Sequence, residues 1–505
     1  MPTAPSDDAA TDGEAARDGA AARDDEASAA CETTATTGGP VRAPSGTSAG
    51  GEPPPKPSLG YTIGWVLYDW ANTGYAIIGL AMILPHFYKA YFAADLEPAQ
   101  QTFWWGATIT TGSLLVFALA PLLGDIAERT GARKRLLLRF AVMGMLACAS
   151  LALVDEGLWW LASLIHVVAM IGFYCGNLFF DSMLDAVATR KTRNLVSGLG
   201  YSAAYLSGFS LVILSAVVSM APETFGLHDA TEAVKVLFVL AAVWWGVFSI
   251  PLALCCPERP KTDRPTLRVI VNEALAGVKR TFLEILKIPR VRYFLLAYLF
   301  YIDGVGTIIT SASNLAATMG FSIQEVTIAF GLVQLFGVPF AIGFCVLANR
   351  IGAKAVLFIA LAVYVCVALY GSQLDPEPLF EIPLGTDANG QPVTFAFLEM
   401  YVLACLIGMV QGGVGALSRS FFANIVPAEK SVAFFGFYSM IGKSAAVFGP
   451  ILFGLSALIF NDPNDAVFST RVGFGLIAVL FVIGGYFLAK VSPHDPPDTK
   501  AAGAP

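Results

Sequence analysis

Charged side chains are scarce in this sequence. Asp, Glu, Lys and Arg make up 14% of its 505 residues and 56% are hydrophobic, whereas soluble domains carry about 25% charged residues. A soluble domain of that composition would expose large apolar patches, so a lipid bilayer is the solvent it fits. Histidine is rarer still, with four residues in all. The eight cysteines (Cys31, Cys148, Cys175, Cys255, Cys256, Cys345, Cys366 and Cys405) mostly sit inside apolar runs. They have neither metal-ligand spacing nor a disulfide framework, and read as small packing residues. No His-Glu-x-x-His or Gly-x-Ser-x-Gly motif is present. The run from Gly436 to Lys443-Ser444 misses the phosphate-loop spacing by one residue and lies in an apolar segment, not after a strand. The sequence therefore implies no enzyme activity, no cofactor, no metal and no ATP-driven step. Its net charge of -7 collects in one tail and in alternate loops, so it implies no nucleic-acid partner.

Apolar segments of bilayer-spanning length are plentiful. They lie near 61–92, 101–124, 136–154, 158–187, 197–220, 233–256, 291–318, 324–348, 355–373, 395–422, 430–459 and 470–490. Each must be helical, because backbone groups facing lipid need partners within the segment, and the alternation of a β-barrel is absent. Before them, residues 1–57 are rich in Ala, Asp, Glu, Gly, Pro, Ser and Thr. That acidic tail cannot bury enough apolar surface to offset chain entropy and reads as disordered. It lacks the basic start and apolar core of a signal peptide. The expected organisation is a tail over 1–57, a six-helix bundle over 58–256, a linker over 257–290, a second six-helix bundle over 291–491 and a C-terminal tail over 492–505. Within the linker, Leu267, Val271, Leu275, Val278, Phe282 and Ile285 recur at helical spacing. The segment is either an amphipathic helix on the inner membrane surface or a plain connection.

Charge in the loops alternates along the chain. One set holds Arg129, Arg133, Lys134, Arg135 and Arg139, then Arg190, Lys191 and Arg193, then the basic linker, then Arg350 and Lys354. The other set is mainly acidic, with Asp95, Asp155, Glu156, Glu223, Asp229, Glu232, Asp375, Glu377 and Asp462 among its members. The positive-inside rule puts the basic set and both termini in the cytoplasm, which makes the chain a multi-pass protein of the bacterial inner (cell) membrane. The halves look like repeats: Asp69 follows Tyr68 in the first segment, Asp303 follows Tyr301 at similar depth in the seventh, and Gly131-Ala132-Arg133-Lys134 has an echo in Gly352-Ala353-Lys354.

Four motifs carry a resemblance. The charged loop Gly124-Asp125-Ile126-Ala127-Glu128-Arg129-Thr130-Gly131-Ala132-Arg133-Lys134-Arg135 resembles the loop between the second and third helices of major facilitator superfamily transporters. By chemistry, Gly124 permits close helix approach, Asp125 can pair with cations or cap a helix, and Arg129, Arg133 and Lys134 pin the loop. The plain reading is a cluster of topogenic charges; the resemblance implies a latch on the inner gate, with Gly131 inside it. The run Tyr68-Asp69-Trp70-Ala71-Asn72-Thr73-Gly74-Tyr75-Ala76 and the stretch from Gln411-Gly412-Gly413 through Ser418-Arg419-Ser420 to Lys443 and Gly449-Pro450 resemble the vacuole effluxer-like (autophagy-related 22-like) branch of that superfamily. Tyr301-Ile302-Asp303-Gly304-Val305-Gly306-Thr307 matches the same branch. The fourth segment departs from it: Phe180-Asp181-Ser182-Met183 lacks the usual proline.

Polar residues form stripes on four segments. Asp69 and Asn72 mark the first. His166, Asn177, Asp181 and Asp185 mark the fourth, Asp303, Thr307, Thr310 and Asn314 the seventh, and Gln411 and Ser418 the tenth. Ionisable groups inside spans are costly and point to a pathway; packing bonds between helices are the plain alternative. The resemblance implies a major facilitator fold of about twelve helices in two six-helix bundles, with helices one, four, seven and ten around a central cavity. It implies alternating access for a small polar solute, an amino acid; a single pair of bundles suffices for transport, so a monomer bathed in lipid is expected. Candidate substrate or proton groups are Asp69, Asn72, Asn177, Asp181, Asp303, Thr307, Gln411 and Lys443, with Asp303 and Lys443 as a candidate ion pair. A drug or metabolite exporter is the runner-up, followed by a non-transporting sensor.

Overall fold

The structure, a computed structural model, describes residues 58–256, 258, 267–318, 323–374, 395–427, 430–444, 449, 452, 455, 456, 459, 460 and 468–492. Residues 1–57 and 493–505 of the two tails lie outside that set, as do the side chains of Thr310, Asn314 and Lys443. Among the described residues the regular structure is entirely helical. Among the described residues, ten helices are long and apolar enough to cross a membrane.

The helices are α1 (Leu59–Tyr75), α2 (Ile83–Phe87), α3 (Pro98–Thr130), α4 (Arg133–Ser150), α5 (Trp159–Ser182), α6 (Leu184–Val187), α7 (Arg193–Met220), α8 (Ala230–Cys255), α9 (Leu267–Lys287), α10 (Pro289–Thr318), α11 (Ile323–Ile351), α12 (Ala353–Gly371), α13 (Phe395–Ile425), α14 (Ser431–Ser444) and α15 (Phe468–Ala489). The segment expected as one helix near 61–92 is broken. After Tyr75 it passes through two π turns, Ala76–Ala81 and Tyr88–Phe92, on either side of α2. With this interrupted crossing and the short apolar α14, the helix count is about twelve.

Local chemistry sets several boundaries. Ser58 accepts the Tyr61 N–H at the start of α1, and Asp229 accepts the Glu232 N–H at the start of α8, which satisfies donors that the first helical turn leaves open. Pro98 opens α3, where its missing N–H costs nothing. Gly131 closes the same helix in the left-handed region, at φ 67°, a conformation that favours glycine. Large apolar side chains such as Leu146 and Leu254 point outward, the side on which lipid would meet them.

The helices group as two bundles. In the first, α1 packs on α7 and α8, and α5 packs on α3 and α4; in the second, α13 packs on α11 and α12, and α15 on α10 and α12. The bundles meet where α3 lies on α14 and where α7 lies on α11 and α13. The linker stripe is a helix, α9, and it packs on α3, α10 and α14, with Ile285 buried and Phe282 stacked on Phe437.

Candidate functional site

The densest polar cluster sits where the first bundle meets α13. Asp69 lies on α1 and Asp181 in the last turn of α5. Between them is Arg419 of α13, only 2% exposed at its side chain. Its Nη1 donates to Asp69 Oδ2 at 3.1 Å and to Asp181 Oδ1 at 3.2 Å. Its Nη2 donates to Asp69 Oδ2 and to the Ser197 carbonyl, both at 3.1 Å. Its Nε donates to Ser197 Oγ at 3.0 Å, and that hydroxyl donates onward to the Ala416 carbonyl at 2.7 Å. Trp65, Tyr201 and Phe180 surround the guanidinium, with ring centroids 4.5, 4.6 and 5.4 Å away. Charge-assisted bonds of this kind are among the stronger polar contacts in proteins.

One turn along α1 from Asp69, Asn72 donates to Asn177 Oδ1 of α5 at 2.8 Å. The structure thus brings Asp69, Asn72, Asn177 and Asp181 together. His166, on the same helix as Asn177, is buried and shares a 3.1 Å hydrogen bond with the Tyr75 hydroxyl. Asp185 leaves the α5 stripe, because α5 stops at Ser182 and Asp185 sits on the separate turn α6. That break occurs without a proline. Arg133 takes up the freed end of α5, donating to the Ser182 carbonyl at 3.1 Å and to Asp185 at 3.2 Å.

Asp303 lies elsewhere, on α10, with no exposure. Its Oδ2 accepts the Gly449 N–H at 2.7 Å, and Thr307 donates to its backbone carbonyl at 2.7 Å. Gln411 is half-buried on α13, eight residues before Arg419, which is about 12 Å along the axis. The Lys443 half of the expected ion pair falls outside the described side chains.

The charged loop works mainly through helix ends. Lys134 donates to the Cys256 carbonyl at the end of α8, at 2.5 Å, and Arg135 pairs with Glu258. Asp125, nearly buried, pairs with Arg129 and lies under Gly277 of α9. Two contacts cross to the second bundle. A Cβ on Gly124 would stand 2.9 Å from the Val432 carbonyl, so α3 and α14 touch backbone to backbone there. Glu128 accepts the Val432 N–H at 3.0 Å, at the start of α14, where a carboxylate meets the positive end of the helix dipole. At the same end, Arg193 donates to the Ala423 carbonyl at 2.8 Å, and Asn194 donates to Asn349 at 2.9 Å. This is the end that carries the basic loops, and the two bundles are bonded together across it.

A family model described as "Vacuole effluxer Atg22 like" matches residues 108–192 and 185–494. The chain belongs to that family. It is 33% identical to the uncharacterized MFS-type transporter YxiO of Bacillus subtilis (strain 168), over 85% of this chain and 94% of that protein. It is 25% identical to autophagy-related protein 22 of Coccidioides immitis (strain RS), over 60% of this chain and 49% of that protein, so it spans about half the length of that fungal relative. Among solved structures it resembles the proton:xylose symporter XylE, with a TM-score of 0.61 at 14% identity over 86% of this chain and 95% of that one. It also resembles the human organic anion transporter MFSD10, with a TM-score of 0.58 at 15% identity over 85% of this chain and 98% of that one. The chain is therefore an integral multi-pass membrane protein with the major facilitator fold and a major facilitator transporter. In this member of the Atg22-like family, sequence reasoning quoted Arg419 inside a motif without assigning it a part. The signal that could have found it is the cost of a cation within the 395–422 run, the same cost that singled out Asp69. Glu128, Ser197 and Tyr201 carried no comparable signal.

Proposed function

We propose that the chain is a secondary active transporter that moves a small polar solute, an amino acid, by alternating access. The observation that carries this reading is Arg419 of α13 bonded to Asp69 and Asp181 of the first bundle. It is a charged cluster at the seam between two bodies that must separate for the pathway to open at that end. Asp69 and Asp181 keep 14% and 19% exposure at their side chains, so neither carboxylate is sealed in as Arg419 is. The charged groups of an amino acid suit a cluster of carboxylates and a guanidinium, and Asn72 and Asn177 add neutral hydrogen-bonding groups beside them. The family's description as a vacuole effluxer supports solute movement; the amino acid is what the resemblance to that family implies.

The positive-inside rule assigns the basic end to the cytoplasm, in the bacterial cell membrane and with both termini inside. In that topology the structure is closed to the cytoplasm, and Gly124, Asp125, Arg129, Gly131, Arg133 and Lys134 belong to the closed gate. A single pair of bundles suffices, so the working unit is a monomer. Energy would come from a proton gradient or from the solute gradient itself, and Asp69, Asp303, Thr307, Gln411 and Lys443 are the groups to test for proton or solute coupling.

The test is uptake of a labelled amino-acid panel into proteoliposomes of the full chain, with and without an imposed pH gradient. Accumulation of at least one amino acid is expected, reduced tenfold or more by Asp69→Asn. A change in accumulation with the gradient, absent in Asp303→Asn, would tie Asp303 to the proton. No flux of any amino acid from correctly folded protein would overturn the proposal.

A further inference from the structure

Arg419 occupies a site built wholly by the other bundle. Trp65 and Asp69 come from α1, Phe180 and Asp181 from α5, and Ser197 and Tyr201 from α7. Arg419 alone comes from α13. Every one of its five N–H groups has an acceptor, two on Asp69, one on Asp181 and two on Ser197. Three aromatic rings flank it within 5.4 Å. Carboxylates combined with ring faces around one cation are how proteins hold organic cations, because the rings supply attraction that dehydrated ions lose on leaving water. The guanidinium is sealed in, while both carboxylates stay partly exposed.

We propose that Trp65, Asp69, Phe180, Asp181 and Tyr201 form an organic-cation site that Arg419 fills as a tethered cation whenever the basic end is closed. The side-chain ammonium or guanidinium of a dibasic amino acid fills the same site when that end is open. This inference rests on the transport reading above and adds a substrate class and a direction to it. When the bundles part at the basic end, Arg419 leaves with α13 and the first bundle is left with two carboxylates and three rings. A cationic solute arriving from that side takes the place of the guanidinium. Closing the basic end returns Arg419 to the site, and solute and arginine exclude each other. The solute is then displaced toward the opposite side. With the basic end in the cytoplasm, that sequence is export. A ligand that binds only the open form shifts the population toward it.

The full chain in lipid nanodiscs provides the test. Spin labels at Asn194→Cys and Asn349→Cys, in a background with the native cysteines replaced, report the distance across the basic end. The probes are arginine and citrulline, which share length and backbone charges and differ in the side-chain cation. Arginine is expected to move the distribution to longer distances, at a concentration at least tenfold below any effect of citrulline. Arg419→Gln is expected to show the longer distances without ligand. Arg419→Lys, which keeps a cation in place, is expected to remain closed and to respond to arginine. The Asp69→Asn/Asp181→Asn double variant is expected to lose the arginine response. Equal effects of arginine and citrulline, no effect of arginine on the unsubstituted site, or a closed Arg419→Gln would each overturn the inference. Because the arginine and citrulline comparison uses the native Arg419, it holds even if Arg419→Gln does not fold. Leucine uptake that persists while arginine leaves the distance unchanged would overturn the cation site and leave the transporter reading standing. An arginine-driven shift with no amino-acid flux would do the reverse.

Discussion

Single side chains at the seam do unequal work. Arg419 is bonded on all sides, so replacing it with the apolar Arg419→Met would leave Asp69 and Asp181 without that partner. Their residual exposure lets water take up part of the loss, which puts the destabilisation on the order of 1–3 kcal/mol and not at the upper values for a fully buried pair. A melting curve of the purified variant checks this. Glu128 acts through a weaker contact, a carboxylate at the start of α14. Glu128→Gln should cost the closed state about 0.5 kcal/mol, visible as a roughly twofold rise in the open population of the labelled Asn194→Cys/Asn349→Cys chain. At this scale the sequence was legible for residues of unusual type in unusual surroundings. Asp69, Asp181 and Asn72 stood out in apolar runs, whereas Ser197 and Tyr201 are ordinary residues in a membrane helix. Their partners are more than two hundred positions away, and no local pattern carries such a pairing.

Among the helices, the crossing of α3 and α14 depends on two glycines. A Cβ on Gly124 would meet the Val432 carbonyl at 2.9 Å, and one on Gly436 would meet the Ala120 carbonyl at 2.8 Å. Neither obstacle is the mobile end of a side chain; each is backbone. Gly436→Leu is therefore expected to push the two helices apart and move the basic end toward open, with a longer spin-label distance and slower solute release. An unchanged distance would show that the crossing tolerates the extra volume. Element existence was legible here because each span needs about twenty apolar residues. The interruptions were not. The stop at Ser182 has tertiary partners: the Trp65 indole donates to the Phe180 carbonyl at 3.0 Å and Arg133 donates to that of Ser182. Such partners can replace the role of a missing proline. Likewise α9 was readable as an amphipathic stripe, but its contact with α14 and the placing of Gly277 on Asp125 depend on how the bundles meet.

The whole molecule carries its duplication in its helix ends. Gly131 and Gly352 both take positive φ, at 67° and 92°, just before the lysines of the two echoing motifs. Lys134 donates to the carbonyl that ends α8, and Lys354 donates to the Ala489 and Val491 carbonyls that end α15, at 2.9 and 2.6 Å. In each bundle, then, a lysine at the start of one spanning helix clasps the last turn of the bundle's final helix, where helix carbonyls lack partners and favour a cation. The repeat was legible as a short string of letters; its purpose was not, since the acceptors are backbone atoms of any residue. In each bundle the start of the third spanning helix is thus fastened to the end of the last. The peptide joining the two bundles is part of neither clasp. A gene cut at Pro260 and expressed as two polypeptides should yield a co-purifying, solute-moving pair, and Lys134→Ala or Lys354→Ala should impair that reassembly far more than it impairs the unbroken chain.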